Sequence, residues 1–538
     1  MSKQKPAAET PPDPAPAASV SGWRLKTLVF VSGAVLMGLE MVASRILAIH
    51  FGSSIYVWGS IIGVFLAALS GGYMLGGKIS DAKPSFFVLN AIVFAAGCWL
   101  LLIPFYAHPL CRSLVGTGER TGPLLGTTLV FAGPSLLMGI VSPFAVRLAA
   151  KSVEKMGNVS GQLYALSTIG SIAGTLLTAF WLIPEFNVRS VTQSLGAALV
   201  ALPFVLLPRT RALYAFAAAL AVLGPGVLLT DPQPIVEMKP GQRLIYEKDS
   251  AYHYILVTEH GAGGAYNPGT YLQFNNYIES GIGLDPPWPT RTTYTDSFQL
   301  AKIFRPDLRR ILVIGGGGGI GPRKFTADDP ECEVDLVEID PEVIAISKKY
   351  FHLVESPRLR IHCEDGRHFV RRTDTRYDLV VLDAYTIGGQ IPFHLTTREF
   401  MEEIKAKLAP GGVLLANINS SLEGKKSRVL RAEQKTFGQV FDAVHVFPRP
   451  MESLKEREPV KSLDPLVTRN VMLVALNGSP ALWTPERVME AASEIVRRAD
   501  SPTPTFLDDA RRMLASPLPV DDVPVLTDDY APVDTMVF

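Results

Sequence analysis

Three carboxylates stand where apolar runs end. Asp383 follows Asp378-Leu379-Val380-Val381-Leu382, Glu338 follows Glu333-Val334-Asp335-Leu336-Val337, and Asp365 comes three residues after Leu359-Arg360-Ile361-His362. Such runs read as buried strands, and in an open α/β sheet the residues just past the strands' carboxyl ends face the ligand crevice. Upstream, Arg310-Ile311-Leu312-Val313-Ile314 runs into Gly315-Gly316-Gly317-Gly318-Gly319, where a backbone without side chains can approach a ligand. Glu338 lies about 20 residues beyond that loop, the spacing at which a carboxylate can accept both hydrogens of a ribose diol. Asp365, beside Gly366, can accept from the exocyclic amine of an adenine, and Asp383 faces the reaction centre. Residues 311–420 thus read as a nucleoside-binding unit.

The surrounding pattern supplies elements to hold these groups. Strand and helix signals alternate: Pro341 suits the first turn of a helix, a helix is expected over Thr397 to Leu408, and Pro410-Gly411-Gly412 precedes the strand Val413-Leu414-Leu415. Before this unit, Tyr252-His253-Tyr254-Ile255-Leu256-Val257 and Tyr271-Leu272-Gln273-Phe274 read as two strands flanking the turn at Gly261 to Gly264. They predict a β-hairpin subdomain over 240–290, ahead of a Rossmann-like domain over 291–538.

The first half is of another kind. After a Pro/Ala-rich start at 1–22, expected to be disordered, apolar runs recur at Leu25–Ile49, Tyr56–Gly77, Phe86–Tyr106, Leu124–Ala149, Leu163–Ile183, Val191–Leu207 and Leu213–Leu229. Each approaches the roughly 20 residues that cross a bilayer as a helix, so 23–230 reads as a transmembrane domain of about seven helices. Small residues four apart, Gly72 with Gly76 and Gly170 with Gly174, predict faces of close helix packing. Glu40 and Arg45 are charges in an apolar span, where they must face protein or water; a mutually compensating pair and a polar cavity both fit.

Basic residues cluster on one side of a seven-span arrangement: Lys3, Lys5, Arg24, Lys26, Lys78, Lys83, Arg147, Lys151, Lys155, Arg209 and Arg211, against Arg112, Arg120 and Arg189 opposite. The positive-inside rule then puts the N-terminus in the cytoplasm and, with an odd count, the C-terminal half outside. A substrate made inside cells argues for a cytoplasmic catalytic half, which is the expectation adopted. The four cysteines form no C-x-x-C pair and lack a histidine-rich neighbourhood, so no metal is expected, and a net charge of zero gives no hint of nucleic acid.

Gly315 to Gly319, Val337-Glu338-Ile339-Asp340 and Glu364-Asp365-Gly366, with Leu382-Asp383-Ala384-Tyr385 and Ser347-Lys348-Lys349-Tyr350-Phe351, resemble the spermidine synthase (polyamine aminopropyltransferase) family. Gly72-Tyr73-Met74-Leu75-Gly76-Gly77 and the terminal Leu526-Thr527-Asp528-Asp529-Tyr530-Ala531-Pro532-Val533 are similar to the bacterial branch fused to a membrane domain. The resemblance implies a methyltransferase-type Rossmann fold and transfer of the aminopropyl arm of decarboxylated adenosylmethionine, with release of methylthioadenosine. The co-substrate would be that sulfonium or adenosylmethionine, with no further cofactor. The partners would be a polyamine and the lipid of the bacterial inner membrane, with a homodimer formed through the hairpin region.

By resemblance, Asp383 would orient and deprotonate the attacking amine, with Tyr294 and Tyr385 beside it. Gly315, Gly317, Glu338, Ile339, Asp365, Gly366 and Glu279 would hold the donor, and Tyr252, His253 and Asp296 the substrate. The chain departs from the family where an acid is replaced by Gly318, where a second catalytic-loop acid is replaced by Thr386, where Tyr-His-Glu becomes Tyr294-Thr295-Asp296, and where Asp-Gly…Gln becomes Asn275-Asn276…Glu279. Loss of the acid at 318 removes repulsion against a carboxylate, so the aminocarboxypropyl arm of adenosylmethionine, transferred or cleaved, is an alternative. A transporter or sensor with a non-catalytic nucleoside domain, and a methyltransferase, are further alternatives. The acidic tail around Asp521, Asp522, Asp528 and Asp529 either closes over the site or is solvated.

Overall fold

The computed structural model describes the chain from Gly22 to Met536 except residues 53, 119, 150–155, 208–216, 218–220, 222–234, 237, 265, 276, 386–390, 451–463, 479–481 and 499–504. The first expected segment, 1–22, therefore lies outside the described residues apart from Gly22, as does most of the seventh run, Leu213–Leu229. Helices α1 (Gly22–Phe51), α2 (Ile55–Ala82), α3 (Phe86–Leu114), α4 (Thr121–Gly139), α5 (Val141–Ala149), α6 (Met156–Leu177) and α7 (Val188–Leu206) occupy the other six runs. With α4 and α5 taken together and α6 extended to Glu185, six stretches among the described residues are long and apolar enough to cross a membrane.

The small-residue faces are where the bundle closes. A β-carbon at Gly170 or Gly174 would lie 2.2 and 2.0 Å from the carbonyls of Phe30 and Ala34 in α1, and one at Gly72 would lie 2.4 Å from that of Leu136 in α4. Larger residues would force these backbones apart. Leu28, Leu39, Leu47, Ile61, Leu100 and Phe131 fill the space between helices, and outward residues such as Phe180 and Trp181 are exposed.

Where a two-stranded hairpin was expected, β1 (Gln242–Asp249), β2 (Tyr254–His260), β3 (Gly269–Phe274) and β4 (Tyr277–Ile282) form a four-stranded antiparallel sheet in that order. Alternation along β2 explains its position. Ile255 and Val257 point, with Leu272 and Phe274, onto Val343, Ile346 and Phe351 of the Rossmann-like domain. Tyr254 and Leu256 on the other face join Ile49 of α1 and Ile235. A strand buried on both faces loses polar alternation, and here it serves as the layer between bundle and domain.

The larger sheet has seven strands in the order β10-β11-β9-β8-β5-β6-β7, built from β5 (Arg310–Ile314), β6 (Glu333–Glu338), β7 (Leu359–Cys363), β8 (Tyr377–Leu382), β9 (Leu408–Ser420), β10 (Ala443–Pro448) and β11 (Arg469–Leu476). Strands β5 to β9 are parallel to one another, and β11 runs antiparallel to both β9 and β10. Val313 and Val381 are paired across β5 and β8 and are almost fully buried; burying a side chain of this size is worth about 1.5–3 kcal/mol. Chain order reverses between β5 and β8. A crevice opens at such a switch point, and Gly315 and Asp383 stand at its two sides.

The two halves meet at one end of the bundle. Arg45, near the end of α1, donates to the carbonyl of Ala251; Arg112, near the end of α3, donates to that of Ile235 at 2.9 Å; and the Asp249 carboxylate accepts from the N–H of Val188 at the start of α7 at 3.0 Å. The chain leaves α7 at the far end, roughly 28 Å away for 19 residues of helix, and returns by Ile235 at the docked end. No ion pair joins Glu40 to Arg45 among the described residues, so the mutually compensating pair expected as one alternative is replaced by a contact between domains.

Candidate active site

The turns after β5, β6, β7 and β8 bring the carboxylates together. After β5 the chain must fold sharply beneath the end of β8. Gly315 does so at φ 98°, and a β-carbon there would sit 2.2 Å from the Asp383 carbonyl. Only glycine suits both the angle and the approach. The Asp383 N–H bonds back to the Ile314 carbonyl at 2.8 Å, which fixes where β8 ends and where the Asp383 side chain leaves the sheet.

Glu338 terminates β6 with its carboxylate tied to the loop it faces, accepting from the N–H of Gly316 at 2.7 Å and of Asp340 at 3.0 Å. It is almost fully buried, and burial raises its pKa above the usual carboxylate range. Each oxygen retains acceptor capacity for a ligand hydroxyl. Asp365 caps the helix α10 (Gly366–Arg372), after α8 (Ile320–Asp328) and α9 (Pro341–Tyr350), through the His368 N–H at 3.0 Å; its other oxygen meets His394 Nε2 at 3.0 Å. Those contacts, His394 foremost, hold its pKa down at about 2.

Asp383 has the opposite environment. Burial pushes its pKa up to about 7, against hydrogen bonds from Asn417 Nδ2 at 2.9 Å and the Tyr294 hydroxyl at 3.2 Å that favour the charged form. The same Tyr294 hydroxyl lies 3.1 Å from the Glu279 carbonyl, tying β4 to the end of β8. Glu279 also lines the cavity, its pKa raised to about 8 by burial and by the charge of Asp383. Two carboxyls raised by burial, one of them also by the other's charge, form a site that a cation relieves.

Their common space is a cavity of about 410 Å³, within the range of small-molecule sites. Of the residues expected from the sequence, Asp383, Tyr294, Tyr385, Gly315, Gly317, Glu338, Ile339, Asp365, Gly366, Glu279, Tyr252 and His253 all line it. Asp296 does not. It is buried near Lys324 and Arg449, because the short helical turn Thr293–Leu300 directs successive residues to different sides and only Tyr294 meets the cavity. Tyr385 spends its hydroxyl on the Asn417 carbonyl at 2.6 Å, so it shapes the wall. Thr386 lies outside the described residues.

Sequence reading missed three contributors. His394 and Asn417 sit in segments without a local motif, although Asn417 follows the apolar run of β9 and could have been suspected there. Arg45 was noticed only as a misplaced charge. At Gly318 a β-carbon would lie 2.8 Å from that of Ser280 and 2.9 Å from the Phe351 ring, so no acidic side chain fits without movement. The terminal acids lie outside the cavity: Asp528 pairs with Arg367 at 2.7 Å and Asp522 pairs with Arg431, anchoring the tail to the domain.

Residues 297–455 match the family described as the spermine/spermidine synthase domain. Over that segment the chain is similar to a spermine/spermidine synthase domain, and the match covers under half of its length. The matched segment runs from the helical turn after Asp296 through β10 and includes Gly315, Glu338, Asp365 and Asp383. A polyamine aminopropyltransferase of Vibrio vulnificus is 40% identical over 154 residues, 28% of this chain and 50% of that protein. Polyamine aminopropyltransferase 2 of Aquifex aeolicus is 23% identical over 410 residues, covering 73% of this chain and 78% of the relative. The chain thus spans half the length of the first relative and more of the second. A crystal structure of a probable spermidine synthase from Corynebacterium glutamicum aligns with a TM-score of 0.38 at 22% identity, covering 47% of this chain and 86% of that one.

Proposed function

We propose that this protein is a membrane-embedded aminopropyltransferase that moves the aminopropyl arm of decarboxylated adenosylmethionine to an amine and releases methylthioadenosine. The observation that carries the reading is that Asp383 and Glu279, both raised by burial, line the same cavity as Glu338 and Asp365. Glu338 would take the ribose hydroxyls and Asp365 the adenine amine. That leaves the sulfonium and its arm at the Asp383 end.

An alkylammonium resembles lysine, with a pKa near 10, and is not nucleophilic while protonated. Asp383, poised near neutrality and held by Asn417 and Tyr294, accepts that proton as the amine nitrogen attacks the carbon beside the sulfonium. The carbon–sulfur bond breaks, its electron pair returns to sulfur, and neutral methylthioadenosine leaves. Glu279 supplies the negative field that draws in the ammonium, and alignment contributes most of the acceleration.

Glu279 also bears on the choice of donor. It places an acid in the cavity although Gly318 lacks one, so a donor still carrying its carboxylate adds a negative charge beside two carboxyls that burial already keeps from ionising. This favours the decarboxylated donor over the aminocarboxypropyl alternative. Incubating the purified protein with each sulfonium, with and without a diamine, tests this: methylthioadenosine should appear only with the decarboxylated donor and amine together. Release from adenosylmethionine alone contradicts the reading, and saturable binding without product returns the site to a nucleoside sensor.

This function needs the cavity on the face where the donor is made, since a fixed positive charge crosses hydrocarbon poorly. The proposed location is therefore the bacterial inner membrane with the synthase domain in the cytoplasm. Because the domain docks where α1 ends, Gly22 then lies on the other face, against the direction that the basic residues favour.

A further inference from the structure

Arg45 is the only lysine or arginine among the described residues lining the cavity, and it belongs to the first apolar helix of the bundle. Its guanidinium donates to the carbonyl of Ala251, in the turn joining β1 to β2. That turn is tightly built. The Ser250 hydroxyl accepts from the N–H groups of Tyr252 at 3.0 Å and His253 at 2.9 Å and also meets the Asp340 carboxylate, two residues past Glu338. What remains for Arg45 is the outward carbonyl, and the turn is thereby held from the bundle side.

The turn presents His253 to the cavity. Its ring is 6% exposed, stacks on Phe274 with centroids 4.2 Å apart, and leaves Nδ1 buried without a hydrogen-bond partner. A buried polar atom left unmet costs about 1–3 kcal/mol, which a ligand hydroxyl can recover. Burial and the nearby Arg45 charge hold this imidazole neutral, at about 4, so Nδ1 can accept or donate according to tautomer without adding a charge beside a sulfonium. Asp249 and Asp340 lie around the guanidinium and offset its charge.

We propose that Arg45 is a positioning residue of the donor site: by holding the Ala251 carbonyl it sets the turn that aims His253 at the nucleoside, so the helical domain completes the pocket. The inference rests on the cavity being a nucleoside site, and it assigns the bundle a part in donor binding besides anchoring. By reciprocity, a nucleoside in the cavity stabilises the docked arrangement of the two halves.

Methylthioadenosine binding to the full chain in lipid nanodiscs, measured by calorimetry, tests this because the ligand has no arm and needs no turnover. Arg45→Ala should weaken binding roughly tenfold, as loss of a charge-assisted contact allows. Arg45→Lys, which keeps a donor and a charge, should recover most of that loss. His253→Ala should weaken binding similarly, and adding Arg45→Ala to it should cost under about threefold more, since both act through one turn. In turnover, Arg45→Ala should raise the KM for the donor and, at saturating donor, leave kcat within about threefold. Wild-type affinity in Arg45→Ala, or losses that multiply in the double variant, overturns the proposal. Absence of methylthioadenosine binding to the wild type takes down the nucleoside reading as well.

Discussion

Asp383 and Glu279 are held above the ordinary carboxylate range, at about 7 and about 8, while Asp365 in the same cavity is held at about 2. The difference follows from partners. Asp365 has a histidine and a helix N-terminus, whereas Glu279 has burial and a neighbouring negative charge. For catalysis this predicts a kcat/KM that rises with pH through about 7 to 8 as both groups ionise in the free enzyme. Asp383→Asn should lower kcat by about 10²–10⁴, the usual contribution of a positioned base. Glu279→Gln should mainly raise the KM for the amine. For stability the sign is opposite. A carboxyl whose folded pKa is raised loses stability as pH climbs from its unfolded value near 4.5 through the folded value near 8. Glu279→Gln should therefore raise the melting temperature at pH 8.5 and leave it nearly unchanged at pH 4, and the reverse ranking in a thermal scan would contradict the environment described.

At the scale of elements, the crevice depends on one turn. Gly315 lets the loop after β5 pass under the end of β8, and Gly315→Ala should cost more than about 2 kcal/mol, combining a disfavoured angle with a clash against the Asp383 carbonyl. Chemical denaturation would show the loss, and an unaffected midpoint would contradict the geometry. The strands that frame this turn were legible in the sequence. β5, β6 and β8 are short apolar runs that end abruptly in glycine or an acid, and a strand buried on both faces has that pattern. β1 was not legible, because Gln242-Arg243-Leu244-Ile245-Tyr246-Glu247-Lys248-Asp249 alternates only partly and keeps polar residues near solvent. The motif that suggested Asp296 identified the correct turn, but a helical turn disperses neighbours and only Tyr294 reaches the cavity. His394 and Asn417 meet the site through tertiary contacts that no local spacing encodes.

For the whole molecule, the sequence separated an apolar half from a Rossmann-like half but held no sign that both line one cavity. Arg45 lies 206 positions before Ala251 and was readable only as a charge in need of a partner. The docking also fixes a relation the charge tally left open: the synthase domain adjoins the end of the bundle where α1 finishes. Tags before Gly22 and after Met536 should thus report opposite faces in protease-protection or dual-reporter assays, and the same face for both would contradict the docked arrangement. The account's central claim is that the cavity transfers an arm through Asp383. Its most direct test is mass spectrometry of the amine after incubation with decarboxylated adenosylmethionine and the full chain. The predicted result is an amine extended by one aminopropyl unit, formed in equal amount with methylthioadenosine and nearly lost in Asp383→Asn. An unextended amine beside bound methylthioadenosine, or undiminished product from Asp383→Asn, would contradict it.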